Sequence, residues 1–457
     1  MKRLLLTAAA ACTLATAPAA AQDFAITNAT VALGDGSDPI PGGTVVVRAG
    51  RIVAAGAGVT VPAGMQAVDG TGKWVTPGLF APLTFLGIYD VEAVDESNDV
   101  SADESPFGAA LDVAPIINPA SQDILYSRAG GVTRASVMPV ASGSIFAGQG
   151  ALIDLGADRN AVMKPRAFQY VELGERGARL AGGSRTSAHA LLRNALREAG
   201  RYGEDARLIG GSRTRVTQQG DDIGVDARMT GDAERASDVL LTRFDAAALV
   251  PVVNGDQTLY ITVHRASDIL SALSLKDEFP KLDMVLVGVT EGWMVADAIA
   301  ASGIPVITAA LTDLPVSFER LGSTQSNVGR MVDAGVKVAI GGYESSGDHP
   351  RNLPQQAGNM VALNKLPGAS GLTWAEAFAA ITSIPAQVSG MGAGAGTLSA
   401  GAHGDVVVWD GDPLELSSAP ERVFIDGVEQ PMRDHQTQLR NRYRDLDEST
   451  LPHAYRR

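Results

Sequence analysis

The chain has 457 residues, 45% of them hydrophobic and 19% charged, with 51 Gly and 23 Pro. That mixture excludes a disordered or fibrous protein and suits a barrel-sized domain with a smaller companion. A formal charge of −14 without a dense basic cluster argues against nucleic acid and anionic membrane surfaces as partners.

In chain order, Lys2 and Arg3 precede an apolar run from Leu4 to Ala17, and Ala19-Ala20-Ala21 then precede Gln22. This is the layout of a cleavable secretory signal, processed near Ala21 and too short to remain as a membrane span. The alternative is a lipoprotein modified at Cys12, for which Ala9-Ala10-Ala11 makes a poor acylation site. Cys12 is the single Cys, so a processed chain has no disulfide, no thiolate metal site and no Cys nucleophile. The expected location is the periplasm or the extracellular space.

From residue 22 to 76, β-branched runs such as Thr44 to Arg48 and Arg51 to Val53 alternate with Gly-containing turns at hairpin spacing. The texture returns over 391–431, in Asp405 to Trp409 and in Arg422 to Ile425, which predicts one small β-sandwich assembled from both ends. Between them the rhythm changes. Tyr260 to Val263, Met284 to Val287, Pro305 to Thr308 and Val336 to Ile340 are continuous apolar strands. The helical stretches Ala266 to Glu278, Gly292 to Ala301 and Ser326 to Ala334 separate them. Strand, helix, strand at this spacing means parallel βα units with both sheet faces covered, as in a (β/α)8 TIM-type barrel or a doubly wound sheet. Asp90 to Asp112 and Arg213 to Ser237 read as long surface loops, and 432–457 as a charged tail with Leu439, Tyr443 and Leu446 at helical spacing.

A series of motifs runs through this frame: Trp74-Val75-Thr76-Pro77-Gly78-Leu79, Gly130-Gly131-Val132-Thr133, Val263-His264-Arg265-Ala266, Thr290-Glu291-Gly292 and Gly401-Ala402-His403-Gly404-Asp405. Their order resembles the amidohydrolase superfamily, particularly its imidazolonepropionase-like branch, over most of the chain from Phe24 to Glu429. The resemblance implies a (β/α)8 barrel over 77–390 with the composite β-sandwich beside it. It also implies a metal-dependent hydrolase. Such sites use a His-x-His pair after the first barrel strand, one His each after strands five and six, and an Asp after strand eight that binds metal and accepts a proton from water.

Position by position, the chain departs from that pattern. The first pair falls on Leu83 and Phe85, the strand-six position on Gly288 and the strand-eight position on Tyr343; only His264, after strand five, is kept. No register slip restores the pair, because no His precedes His189. One imidazole without a second ligand binds a divalent ion poorly, so no cofactor is expected.

Two function classes follow. The first is an exported, non-catalytic amidohydrolase-fold protein that binds a small ligand in a mouth lined by Leu83, Phe85, His264, Gly288, Glu291, Tyr343, Asp348 and His349. It would act alone, as a homo-oligomer, or as a subunit beside an intact amidohydrolase. The second is a metal-dependent hydrolase of dipeptide or non-peptide C–N bonds with a rewired site around His264, which would hold Zn or another divalent metal. It would draw on Glu291, Glu344, Asp348 and His349, with His264 and Glu344 as the catalytic candidates. His189, His403, His435 and His453 are assigned to structural positions. Gly392 to Gly396 reads as a turn, since it follows no strand.

Overall fold

The computed structural model describes residues 21–91, 94–210, 239–341 and 349–444; the predicted signal up to residue 20, the whole 213–237 loop and the end of the tail lie outside these. Two sheets organise the chain. The first takes β1 (Phe24–Val31), β2 (Ile40–Arg48), β3 (Arg51–Gly56), β4 (Gln66–Asp69) and β5 (Trp74–Pro77) from the front. From the back it takes β14 (Val406–Trp409), β15 (Pro420–Ile425) and β16 (Val428–Glu429). Its order is β16-β15-β14-β5-β1-β2-β3, with β4 beside β1, so β5 is sandwiched between strands from opposite ends of the chain. Phe24 stacks on Phe424 at 4.3 Å between centroids, in a core shared with Ile26, Val45 and Val406.

The second sheet runs β13-β12-β11-β10-β9-β8-β7-β6. Its strands are β6 (Leu79–Thr84), β7 (Val132–Val137), β8 (Phe146–Asp154), β9 (Val162–Glu172), β10 (Thr258–Val263), β11 (Met284–Gly288), β12 (Val306–Thr308) and β13 (Val338–Ile340). It curls into a nearly closed barrel. The seam between β13 and β6 is bridged by Ala380 and Ile381: Ile340 N donates to Ala380 O at 2.8 Å and Phe80 N to Ile381 O at 3.1 Å.

The four strands read as parallel βα units form β10 to β13 in parallel register. One feature departs from an all-parallel barrel: β8 runs antiparallel to both β7 and β9. No helix separates β7, β8 and β9, so these three of the eight wall strands form a hairpin meander, which needs only turns where parallel strands would need crossovers.

Alternation sorts the barrel residues. Phe168, Tyr260, Val285 and Ile307 fill the interior, while Leu259, Ile261, Leu286 and Val306 face the surrounding helices. Phe168 and Tyr260 stack at 4.3 Å, and Gly150 makes room for them, because a Cβ there would lie 2.1 Å from the Phe168 ring. Gly150→Ala is therefore expected to lower stability by about 1–3 kcal/mol, seen as a reduced urea midpoint. An unchanged midpoint would mean that the ring moves aside freely.

Within the stretch read as Gly292 to Ala301, the helix Ala296–Ser302 ends at Gly303, whose φ is +68°. The tail forms a helix, His435–Tyr443, opened by a reciprocal cap between Asp434 and Thr437, and Tyr443 is exposed. Among the described residues no helix is long and apolar enough to cross a membrane.

Candidate functional site

Period-two alternation delivers polar groups to the inner face at the C-terminal ends of the parallel strands. Phe168, Tyr170 and Glu172 follow one another inward on β9; Tyr260, Thr262 and His264 do so along β10. There they meet a cavity of about 490 Å³. Its buried side is apolar, with Leu83, Met138, Val287 and Ile307. Tyr170 and Thr262 share a hydroxyl–hydroxyl bond of 2.7 Å in its wall, and Thr308 donates to Gly288 O at 2.6 Å. The outer side carries charge: Glu172, Glu175, Arg176, Arg179, Glu319 and Arg320.

His264 is 3% exposed and held at both nitrogens. Its Nδ1 is 2.9 Å from Thr290 Oγ1, and Arg320 Nη2 lies 2.8 Å from its Nε2. A guanidinium can only donate, so Nε2 accepts from Arg320 and the ring proton sits on Nδ1, directed at Thr290. Burial first, then the Arg320 charge, lowers the imidazole pKa to about 3, leaving it neutral at physiological pH.

Gly288 is shaped by the same ring. Its φ is +85°, and a Cβ there would come within 2.3 Å of His264 Cε1. The imidazole thus fills the space that a side chain at the strand-six position would need.

Glu172 is enclosed by protein apart from the part that meets the cavity. Burial raises its pKa to about 7, against the pull of Arg176 and with a further upward push from Glu319. Glu319 is itself engaged, accepting from Glu175 N at 2.7 Å and from Arg185 Nη2 at 3.1 Å. Arg176 sends Nε and Nη2 to the Ala141 carbonyl at 3.1 and 2.5 Å.

The residues proposed from sequence separate into three groups. Leu83, His264 and Gly288 line the cavity together. Phe85, Glu291 and His349 are elsewhere. The β6–β7 register shifts after Ala81 and Leu83 adopts φ +54°, its N–H bonded to Ser136 Oγ at 2.7 Å. At this break in alternation Leu83 lines the cavity while Phe85, half-buried, packs against both the barrel interior and the surrounding core without reaching the cavity lining. Glu291 is buried as a brace, accepting from Ala266 N at 3.0 Å and from Gly322 N at 2.9 Å. His349 is exposed and meets the edge of Tyr126, whose face is covered by Arg351. Tyr343, Glu344 and Asp348 lie outside the described residues. Among the described residues no group of three or more His, Cys, Asp or Glu is placed to hold a metal ion.

Sequence reasoning missed Tyr170, Glu172, Arg176, Arg179, Glu319 and Arg320. The signal available for two of them is the alternation in Phe168-Gln169-Tyr170-Val171-Glu172, an inward series ending in an acid. No local pattern marks Arg320, which sits in the loop after β12.

Comparison with known proteins agrees with this architecture. Residues 282–434 match the Amidohydrolase family. A 60-residue stretch is 47% identical to amidohydrolase tasK of Hapsidospora irregularis, covering 13% of this chain and 6% of that protein. The chain therefore spans only a small part of that relative. Among solved structures, an amidohydrolase from Thermotoga maritima MSB8 superposes with a TM-score of 0.74 at 23% identity, covering 90% of this chain and 100% of that one. Phenylurea hydrolase B gives 0.50 at 15% identity, with 90% and 97% covered. At these identities the structural likenesses concern the fold. The chain is amidohydrolase-like in its barrel and composite β-domain, and in sequence over residues 282–434.

Proposed function

We propose that this protein is an exported, non-catalytic relative of the imidazolonepropionase-like amidohydrolases whose barrel mouth binds a small molecule. One observation carries the reading: Arg320 donates to His264 Nε2, the lone pair that a metal would need. Leu83, Phe85 and Gly288 offer no donor atom at the other positions the family pattern requires. These residues do not fit a catalytic metal. Export is supported by the charged, apolar and small-residue succession of the first 21 residues. The apolar floor and charged rim of the cavity are the makings of a ligand site.

The test is elemental analysis of the purified full chain, before and after incubation with Zn, Mn and Fe, together with assays on a panel of dipeptides and cyclic amides. The expected result is substoichiometric metal and no turnover. Stoichiometric metal that disappears in His264→Ala, accompanied by hydrolysis, would overturn the reading in favour of a rewired hydrolase around His264 and Glu344.

A second reading is favoured by Leu314, Val316, Phe318 and Leu321, all exposed on the loop after β12, an apolar surface of the kind that partners cover. In it the barrel is a subunit beside a complete amidohydrolase, and native purification would recover the two together.

A further inference from the structure

Resting on the non-catalytic reading, the charge arrangement of the mouth identifies the class of ligand. Arg176 and Arg179 lie one turn apart on the helix Glu175–Leu180, both exposed and both lining the cavity, with Arg320 contributed by the loop after β12. Among the described residues no carboxylate lies within ion-pair distance of Arg176 or Arg179. The acids nearby are otherwise engaged. Glu319 is 3.1 Å and Glu175 3.8 Å from Arg185, a residue outside the cavity that also holds Asp268 at 2.8 Å, and Asp268 is shared with Arg265. Glu172 also lines the cavity and feels the charges of Arg176, Arg179 and Arg320, so five guanidinium groups (Arg176, Arg179, Arg185, Arg265 and Arg320) face four carboxylates (Glu172, Glu175, Glu319 and Asp268), and Arg176 and Arg179 border the cavity outside any ion pair among the described residues. On the buried side the cavity offers hydrocarbon from Leu83, Met138, Val287 and Ile307, beside the hydroxyls of Tyr170, Thr262 and Thr308, which are bonded within the wall, and the neutral His264.

We infer that the cavity binds a singly charged carboxylate on an apolar body, the carboxylate between Arg176 and Arg179 and the hydrocarbon directed at Leu83 and Ile307. Arg179 presents paired donors that match a carboxylate's two oxygens, while Arg176, with Nε and Nη2 held at the Ala141 carbonyl, adds its remaining N–H groups; such charge-assisted bonds are about twice as strong as neutral ones. The apolar floor supplies affinity without direction, while the arginines supply direction, the division of labour usual in small-molecule sites. A surplus of one or so positive charges suits a single negative group.

The test is calorimetric titration of the full chain with octanoate and with octanamide, which share a body and differ in charge. Octanoate is expected to bind about tenfold or more tightly than the amide, and to weaken as salt is raised. The double variant Arg176→Gln/Arg179→Gln is expected to remove that preference, and the single variant Arg179→Gln, at an exposed side chain, to weaken it while keeping the wild-type melting temperature. Equal affinity for the two probes, an unchanged preference in the double variant, or failure of both probes to bind would overturn the assignment. The underlying reading fails separately: metal with turnover overturns it even if octanoate binds, whereas an amide bound as well as its carboxylate overturns only the choice of anion in a metal-free protein.

Discussion

Arg134→Met is expected to lower the unfolding free energy by roughly 3–5 kcal/mol, the range found when one partner of a buried ion pair is removed. Arg134 on β7 is 1% exposed and reaches out of the barrel to the β-domain, giving Nε to Asp405 at 2.6 Å and Nη2 to Asp405 and Asp426 at 3.0 Å each. Removing the guanidinium leaves Asp405 as an uncompensated charge between the two sheets. Asp426 would lose support too: burial alone would raise its pKa, but the His403 hydrogen bond and the Arg134 charge bring it down to about 2. Urea unfolding at neutral pH measures the effect. Arg134→Met/Asp405→Leu should recover part of the loss, because the orphaned charge is gone. A loss below about 1 kcal/mol for Arg134→Met would mean that water reaches Asp405 and that this contact does not join the domains.

The second large effect concerns Glu172→Gln, which is expected to stabilise the protein at pH 8 by about 3 kcal/mol and to leave it unchanged at pH 4. Glu172 titrates at about 7 in the folded protein against an ordinary 4.5, so the folded state holds the proton more firmly. Its stability is complete below the ordinary value and is lost as pH rises through about 7, where an enclosed carboxylate must ionise. His264 acts in the opposite sense. With its pKa lowered from 6.5 to about 3, it stabilises above 6.5 and loses that contribution as pH falls toward 3. Between about pH 4.5 and 6.5 the folded state therefore has one extra proton on Glu172 and lacks one on His264, and the two slopes cancel. Melting temperatures of Glu172→Gln across this window should rise with pH, exposing the His264 slope that the wild type conceals. A parallel shift of the whole profile would show that Glu172 is not protonated in the folded protein.

What the sequence made legible follows from periodicity. The continuous apolar strands Tyr260 to Val263 and Met284 to Val287, with the amphipathic stretches between them, specify parallel packing because only covered faces tolerate such runs. The β8–β9 hairpin was not anticipated, since its chain reversal leaves no helix between strands and resembles surface structure in one dimension. His264 was found because its motif is local. Its consequence was hidden, because Arg320 is 56 residues away in sequence and meets it only through the loop after β12. Phe85 was misplaced by a backbone irregularity: with Leu83 at φ +54°, counting by twos no longer reports the facing of the next residues. Bulky residues adopt such angles only where surrounding contacts hold them there.

The bridging of the barrel seam by Ala380 and Ile381 bears on the order of assembly. Until that segment has been made, β6 and β13 have no common neighbour, and β5 lacks its partner β14 from still later in the chain. Both sheets thus wait for the last fifth of the polypeptide. Pairings of such long sequence separation make for slow folding, and the open edges persist throughout synthesis as surfaces for misassociation. A chain built this way carries unpaired strand edges until its final strands arrive.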